Sequence, residues 1–265
     1  MEENKKKISF ADKLKKSCVK VLKFCENLIF PEEYKCIFCG QDIPDFQNKP
    51  YCDECEKVLS FNNKNKCLVC DEPIENEATI CDVCQKNKRY FKKAFCPFVY
   101  EGVVRNAVLG YKENNQRYKA KSFAKFIVRE IEESGVKIDL ITFIPMTKKK
   151  EKRRSFNQSK LLAEEIGKLL NVEVVSIFNK ERDDKEQKYS SYRERQEKME
   201  GLYTLHSYPL KKSQNILIVD DIITTCATVN YCSKLILKKV QNVYVCGIAR
   251  NKLKIKWKKV PQNDT

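Results

Sequence analysis

Asp220 and Asp221 close the aliphatic run 216–219, and Thr224, Thr225 and Thr228 follow within the next seven residues. Adjacent carboxylates accept hydrogen bonds from vicinal hydroxyls or ligate a hard cation. A hydroxyl-rich turn leading into a helix start suits a phosphate, because the first N–H groups of a helix are free and lie at its positive end. One ligand with both a ribose diol and a phosphate would satisfy both halves. Two other readings compete. A strand ending in two acids could be a capped element with no ligand, or the acidic strand of a nucleotide triphosphatase. The latter needs a G-x-x-x-x-G-K-[ST] loop. The chain's one Gly-Lys pair, Gly167-Lys168, runs into Leu169 instead, and no G-x-G-x-x-G occurs.

A second group of reactive side chains is eight cysteines in four Cys-x-x-Cys pairs: Cys36/Cys39, Cys52/Cys55, Cys67/Cys70 and Cys81/Cys84. Each pair forms a knuckle that offers two thiolates, and the short polar spacers leave no apolar core for them to fill. Eight such ligands suit two tetrahedral Zn2+ ions. With four positions filled on each ion and none open to water, these are structural sites. Spacing leaves the pairing open between sequential and interleaved; two successive ribbons are the simpler arrangement.

Two polar segments add cations. Residues 146–159 read M-T-K-K-K-E-K-R-R-S-F-N-Q-S, and Lys152, Arg153 and Arg154 end their basic run. Lying between a strand end and a helix start, they could neutralise a diphosphate; a solvated charge run is the plainer alternative. Residues 180–199 form a long charged stretch with Arg182, Lys185, Gln187, Arg193, Arg195 and Lys198. Its length and polarity suit a lid that closes over a bound anion.

Positioning these groups requires a particular scaffold. Residues 216–219 are too short and too β-branched for a helix and read as a buried parallel strand. Val229, Cys232, Leu235 and Ile236 recur at helical spacing after it. Strands are expected over 94–100, 138–145, 172–178 and 243–248, and helices over 103–111, 120–133 and 158–170. This alternation specifies an α/β fold with a mainly parallel sheet and helices on both faces. In open sheets of this kind ligands sit beyond the carboxyl ends of the strands. Upstream, residues 8–30 carry apolar side chains at helical spacing and end before Pro31; a helix packed on its own protein is expected, with a membrane-surface helix as the alternative.

The formal net charge is +16 over 265 residues. Residues 31–95 hold 10 basic and 12 acidic side chains, and residues 96–265 hold 34 and 20. The positive field therefore belongs to the part carrying the phosphate-type loop, which points to phosphate-bearing partners; a lysine-rich solvated surface would give the same excess. No apolar run reaches the length of a membrane span, and no secretory signal is legible. Paired cysteines as metal ligands fit a reducing, cytoplasmic compartment.

The acidic pair and its threonines resemble the phosphoribosyl diphosphate (PRPP) signature of type I phosphoribosyltransferases. Taken with the N-terminal helix, the double zinc ribbon and Arg154-Ser155-Phe156-Asn157-Gln158, nearly the whole chain resembles the ComF family of competence-associated proteins. The resemblance implies a type I phosphoribosyltransferase-like domain over 93–250, preceded by an amphipathic helix over 1–30 and a double zinc ribbon over 31–92, and followed by a basic tail over 251–265. It implies that Asp220 and Asp221 hold the ribose hydroxyls and that Thr224, Thr225, Cys226, Ala227 and Thr228 wrap the 5′-phosphate. Lys152, Arg153 and Arg154 would contact the diphosphate, and Arg195 would act from the flexible loop, where Gln187 and Glu194 also match. Mg2+ would accompany PRPP. The implied role is uptake of transforming DNA, with single-stranded DNA or a competence helicase as partners. Turnover would make the protein a glycosyltransferase; the alternative is an inactive accessory that binds single-stranded DNA, with Phe38, Tyr51 and Phe61 stacking on bases, or that docks a helicase. Three positions depart from the family pattern: Ser155 and Cys226 stand where it has glycine, and Lys198 where asparagine is common.

Overall fold

The computed structural model describes residues 35–43, 49–74, 77–182 and 199–252. The expected N-terminal helix, most of the charged stretch with Arg195, and nearly all of the basic tail lie outside the described residues. By its contacts the chain divides into Met1–Cys52 and Asp53–Thr265. In the first unit the Cys36–Cys39 knuckle is closed by Cys36 N–H to Gln41 O (2.8 Å) and Gly40 N–H to Cys36 O (2.8 Å).

The second unit contains, in chain order, α1 (Asp53–Val58), α2 (Asp82–Lys86), β1 (Ala94–Phe95), β2 (Phe98–Val99), α3 (Gly102–Glu113), α4 (Lys119–Glu133), β3 (Leu140–Phe143), α5 (Lys148–Arg154), α6 (Gln158–Leu170), β4 (Phe178–Lys180), β5 (Tyr203–Leu205), β6 (Asn215–Val219), β7 (Ile222–Ile223), α7 (Ala227–Ile236), β8 (Asn242–Cys246) and β9 (Ala249–Arg250). A four-stranded parallel sheet runs β1-β8-β6-β3. Its strands are continuous apolar runs (LITF in β3, ILIV in β6) with nearly every residue buried, as expected when both faces are covered. On one side α4 and α6 pack together and against β1, β3 and β6. In α4, Phe123, Ala124, Ile127, Val128 and Ile131 are the buried face, a 3–4 residue spacing that places them on one stripe. Elsewhere in the core, Val229, Cys232 and Ile236 of α7 join Ile216, Ile218, Val243, Val245, Leu202, Tyr203 and the second pair of cysteine knuckles.

Three strands of this sheet break at one level and resume. β2-β9-β7 repeats the lateral order of β1-β8-β6. The ladder crosses the break through Asp220 N–H to Cys246 O (2.9 Å), Gly247 N–H to Phe95 O (3.1 Å) and Ile248 N–H to Asp221 O (2.9 Å). At Gly247 a Cβ would stand 2.9 Å from Ile223 Cγ1 and 3.3 Å from Ile223 N, so the bend needs glycine there. The break in the central strand falls at Asp220-Asp221.

The expected helices and central strands are present with small shifts at their ends. Three expectations change. The strand over 94–100 is interrupted at Cys96-Pro97, since proline has no N–H for the ladder. The strand over 172–178 reduces to one parallel bridge, Ile141 to Val174, with β4 starting only at Phe178 and pairing antiparallel to β5. The basic run is a short helix rather than a loop: Thr147 caps it by accepting Lys150 N–H (3.4 Å), and Ser155 ends it in a left-handed conformation.

Candidate phosphosugar site and cysteine centres

The Asp220-Asp221 pair sits at the carboxyl end of the central strand β6, the position where a parallel sheet presents ligand-binding groups. Asp220 Oδ1 accepts Ser159 Oγ (3.1 Å) and Asp221 N–H (2.8 Å). Asp221 Oδ2 pairs with Lys112 Nζ at 2.9 Å, both side chains being 17% exposed. Burial, and then the neighbouring Asp221 carboxylate, push the Asp220 carboxyl up to about 7, while Asp221 N–H, Lys112 and Ser159 favour its ionised form. Asp220 is thus poised near neutrality.

After β7 the chain turns into α7. Cys226 is the N-cap, at φ 63° and ψ 7°, and makes no side-chain cap hydrogen bond. Thr225 Oγ1 accepts Ala227 N–H (3.4 Å), so that hydroxyl braces the loop. Thr224 is exposed, and Thr228 Oγ1 approaches Met199 Sδ at 3.9 Å. The remaining first-turn amides of α7 are the type of group that receives an anion.

The two ligand loops meet at the end of α3. Its last residues reach both: Lys112 to Asp221, and Glu113 to Arg154 Nη2 at 2.7 Å. Arg154 also donates to Gln158 Oε1 (3.4 Å), so it holds α5 against α3 and α6. Lys148, Lys149, Lys152 and Arg153 are exposed. Arg117 donates to Ser155 O (3.0 Å) and lies over the Phe156 ring (4.6 Å). Ser155 has φ 66°. Ser155 and Cys226 therefore both adopt the left-handed conformation that glycine takes most readily. Lys112, Ser159 and Arg117 were not legible as site residues: each is an ordinary polar residue far from the Asp pair in sequence, and only the fold brings it there.

The cysteines close sequentially. Cys36, Cys39, Cys52 and Cys55 form one group, and Cys67, Cys70, Cys81 and Cys84 a second; within each the sulfurs lie within 4.8 Å of one another. Cys39 and Cys52 Sγ are 3.7 Å apart, and Cys70 and Cys81 Sγ 3.6 Å. A tetrahedron with Zn–S bonds of about 2.3 Å has an edge of about 3.8 Å. Both groups could hold zinc. For Cys36, burial works upward but N–H groups of Cys39, Cys52 and Phe38 bring the thiol down to about 7, in the direction a metal ligand needs. Arg89 Nε donates to Cys84 Sγ (3.2 Å) and Arg250 Nη2 to Cys70 Sγ (3.8 Å); two cations oppose the charge that a four-thiolate zinc centre carries. Of the aromatic residues expected to stack on bases, Phe38 is buried, 6.1 Å from the half-buried Tyr51, and the half-buried Phe61 packs on Phe98 (5.3 Å) and Phe126 (6.3 Å). No described helix is long and apolar enough to cross a membrane.

No family model matches the chain. It is similar to Competence protein F of Haemophilus influenzae, with 24% identity over 229 residues covering 82% of this chain and 97% of that protein. It is also similar to Competence protein ComFC of Streptococcus pneumoniae, with 28% identity over 223 residues covering 76% and 93%. Among solved structures, an adenine phosphoribosyl transferase from Trypanosoma brucei in complex with AMP, pyrophosphate and ribose-5-phosphate is 16% identical, with a TM-score of 0.35 over 54% of this chain and 68% of that one. So loose a superposition places no individual residue. The resemblance to ComF-type competence proteins thus extends over most of the chain.

Proposed function

We propose that the protein binds PRPP or a related phosphosugar together with Mg2+, in the service of DNA uptake. The observation that carries this reading is the convergence at the end of β6: two adjacent carboxylates held by Ser159 and Lys112, followed directly by a left-handed turn into the amino end of α7. In this reading Asp220 and Asp221 accept the ribose hydroxyls, and the 224–228 loop receives the 5′-phosphate on backbone N–H groups. Lys152 and Arg153, exposed on α5, face a diphosphate, and Arg195 contributes from the charged stretch. The carboxylates are hard oxygen donors that fit Mg2+ bound mainly through the ligand's phosphates, and the ion would neutralise diphosphate charge. As a transferase the site would act by positioning and by stabilising departing diphosphate. Calorimetric titration with PRPP tests the reading: Mg2+-dependent binding is expected, with loss in Asp220→Ala/Asp221→Ala, and absence of binding to the parent protein overturns it.

A second reading, single-stranded DNA binding, draws on the exposed basic face of α5. Neutralising Lys148, Lys149, Lys152 and Arg153 would then reduce the salt dependence of DNA affinity; an unchanged slope removes that reading.

A further inference from the structure

The second four-cysteine centre adjoins the ligand loop through a buried seam. Its first knuckle is tied to the bent sheet: Ala94 N–H donates to Val69 O (2.8 Å) and Cys96 N–H to Asp71 Oδ2 (2.8 Å). Arg250, fully buried, donates Nε to Cys70 O (2.9 Å), Nη1 to Ile223 O (2.9 Å) and pairs through Nη2 with Glu72 (2.6 Å). One guanidinium therefore holds both a cysteine of the centre and the last residue of β7 before the ligand loop. Fully buried Asn230, in the first turns of α7, grips the chain leaving the second knuckle, accepting Tyr90 N–H (2.8 Å) and donating to Lys88 O (3.3 Å). Between these two clasps lies Cys226, 3% exposed and in the same buried cluster as Cys70. A glycine at this position would have no side chain in that cluster.

We infer that the second four-cysteine centre is the mount of the phosphosugar loop, with Cys226 and Arg250 transmitting the centre's metal occupancy to residues 223–228. This rests on the site reading proposed above for the ligand's identity but not for the coupling itself. In a four-thiolate centre every ligand position is filled, so a fifth sulfur does not ligate. Arg250 Nη2 donates to the Cys70 sulfur from outside (3.8 Å), the Cys226 S–H is assigned the same role beside it, and partners of this kind both orient a ligand and strengthen the site. Metal in the centre fixes Cys70, Cys70 fixes Cys226, and the left-handed residue that starts α7 is held in place. Coupling of this sort is reciprocal: the ligand must tighten the metal by the factor with which the metal tightens the ligand.

The test uses the full chain loaded with zinc or cadmium. Amide hydrogen exchange, read without ligand, should show faster exchange over 223–228 when metal is chelated while β3 and β6 keep their protection; unchanged exchange in the loop overturns the inference. Should chelation open the whole chain, the loaded Cys226→Ala and Cys226→Ser variants decide. One of two cadmium NMR signals should move in Cys226→Ala, and a chelator should take that metal about 10–100-fold faster, the range for lost outer partners. Serine, which retains a donor, should restore both; two unmoved signals and equal release in Cys226→Ala overturn the inference. PRPP should slow release of that metal alone. If PRPP binds without changing release, the coupling fails. If loaded protein binds no PRPP while the loop and cadmium responses persist, the functional reading fails and the coupling stands.

Discussion

Replacing Asp220 with asparagine removes one titrating group while keeping its shape and an oxygen for Ser159. Asp220 is held protonated up to about 7, against 3.8 for an ordinary aspartate, mainly by burial and by Asp221. Between those limits the folded protein binds a proton that the unfolded chain has already released. Its contribution to stability is therefore greatest at low pH and is lost as pH rises towards about 7. The slope is at most about 1.4 kcal/mol per pH unit, moderated by Lys112, Ser159 and Asp221 N–H, which favour the ionised form. In Asp220→Asn this loss is absent, so the variant should gain stability relative to the parent from about pH 4.5 to about pH 7 and keep a constant margin above. Asp71, also raised to about 7 by burial, is present in both proteins and cancels in the difference. Urea denaturation across this range, plotted as variant minus parent, gives the result. A difference that is flat, or that falls with pH, refutes the electrostatic account of the acid pair.

Replacing Lys112 with methionine should move the bend of that difference curve to higher pH, because the lysine favours ionised Asp220; a bend that stays put places Lys112 outside the site's electrostatics. Arg250→Met should destabilise by about 3–5 kcal/mol in urea denaturation, since it strands the Glu72 carboxylate and uncouples the seam. Ser155→Gly should stabilise slightly: removing the Cβ that opposes the left-handed conformation relieves about 1–2 kcal/mol, offset by about 0.5–1 kcal/mol of extra chain entropy. Ser155→Val, β-branched at φ 66°, should destabilise in the same assay.

The parts of this molecule that the sequence discloses are those set by local pattern. Helix α6 and strands β6 and β8 follow from apolar periodicity, and the cysteine groups from their knuckle spacing. The basic run was legible as a charge cluster but not as a helix, because its cap, Thr147, precedes a segment with no apolar stripe to mark a helical face. Long-range contacts are the parts that spacing cannot encode. Lys112 reaches Asp221 across 109 positions, and Arg250 reaches Cys70 across 180. The bend splitting three strands is visible only once Pro97, Asp220-Asp221 and Gly247 are known to lie side by side. Cys226 illustrates the same limit. Alone it is an odd residue in a turn; in the fold it shares one buried cluster with Cys67 and Cys70 of the second cysteine group.

Comparison of ribose 5-phosphate with 2-deoxyribose 5-phosphate probes whether the acid pair holds a sugar diol. If Asp220 and Asp221 accept the vicinal hydroxyls, loss of one hydroxyl leaves a buried acceptor unpaired and should weaken binding by about tenfold or more. That preference should disappear in Asp220→Asn/Asp221→Asn, while inorganic phosphate binds the parent and variant alike. Equal affinity of the parent protein for the two sugars would contradict the account.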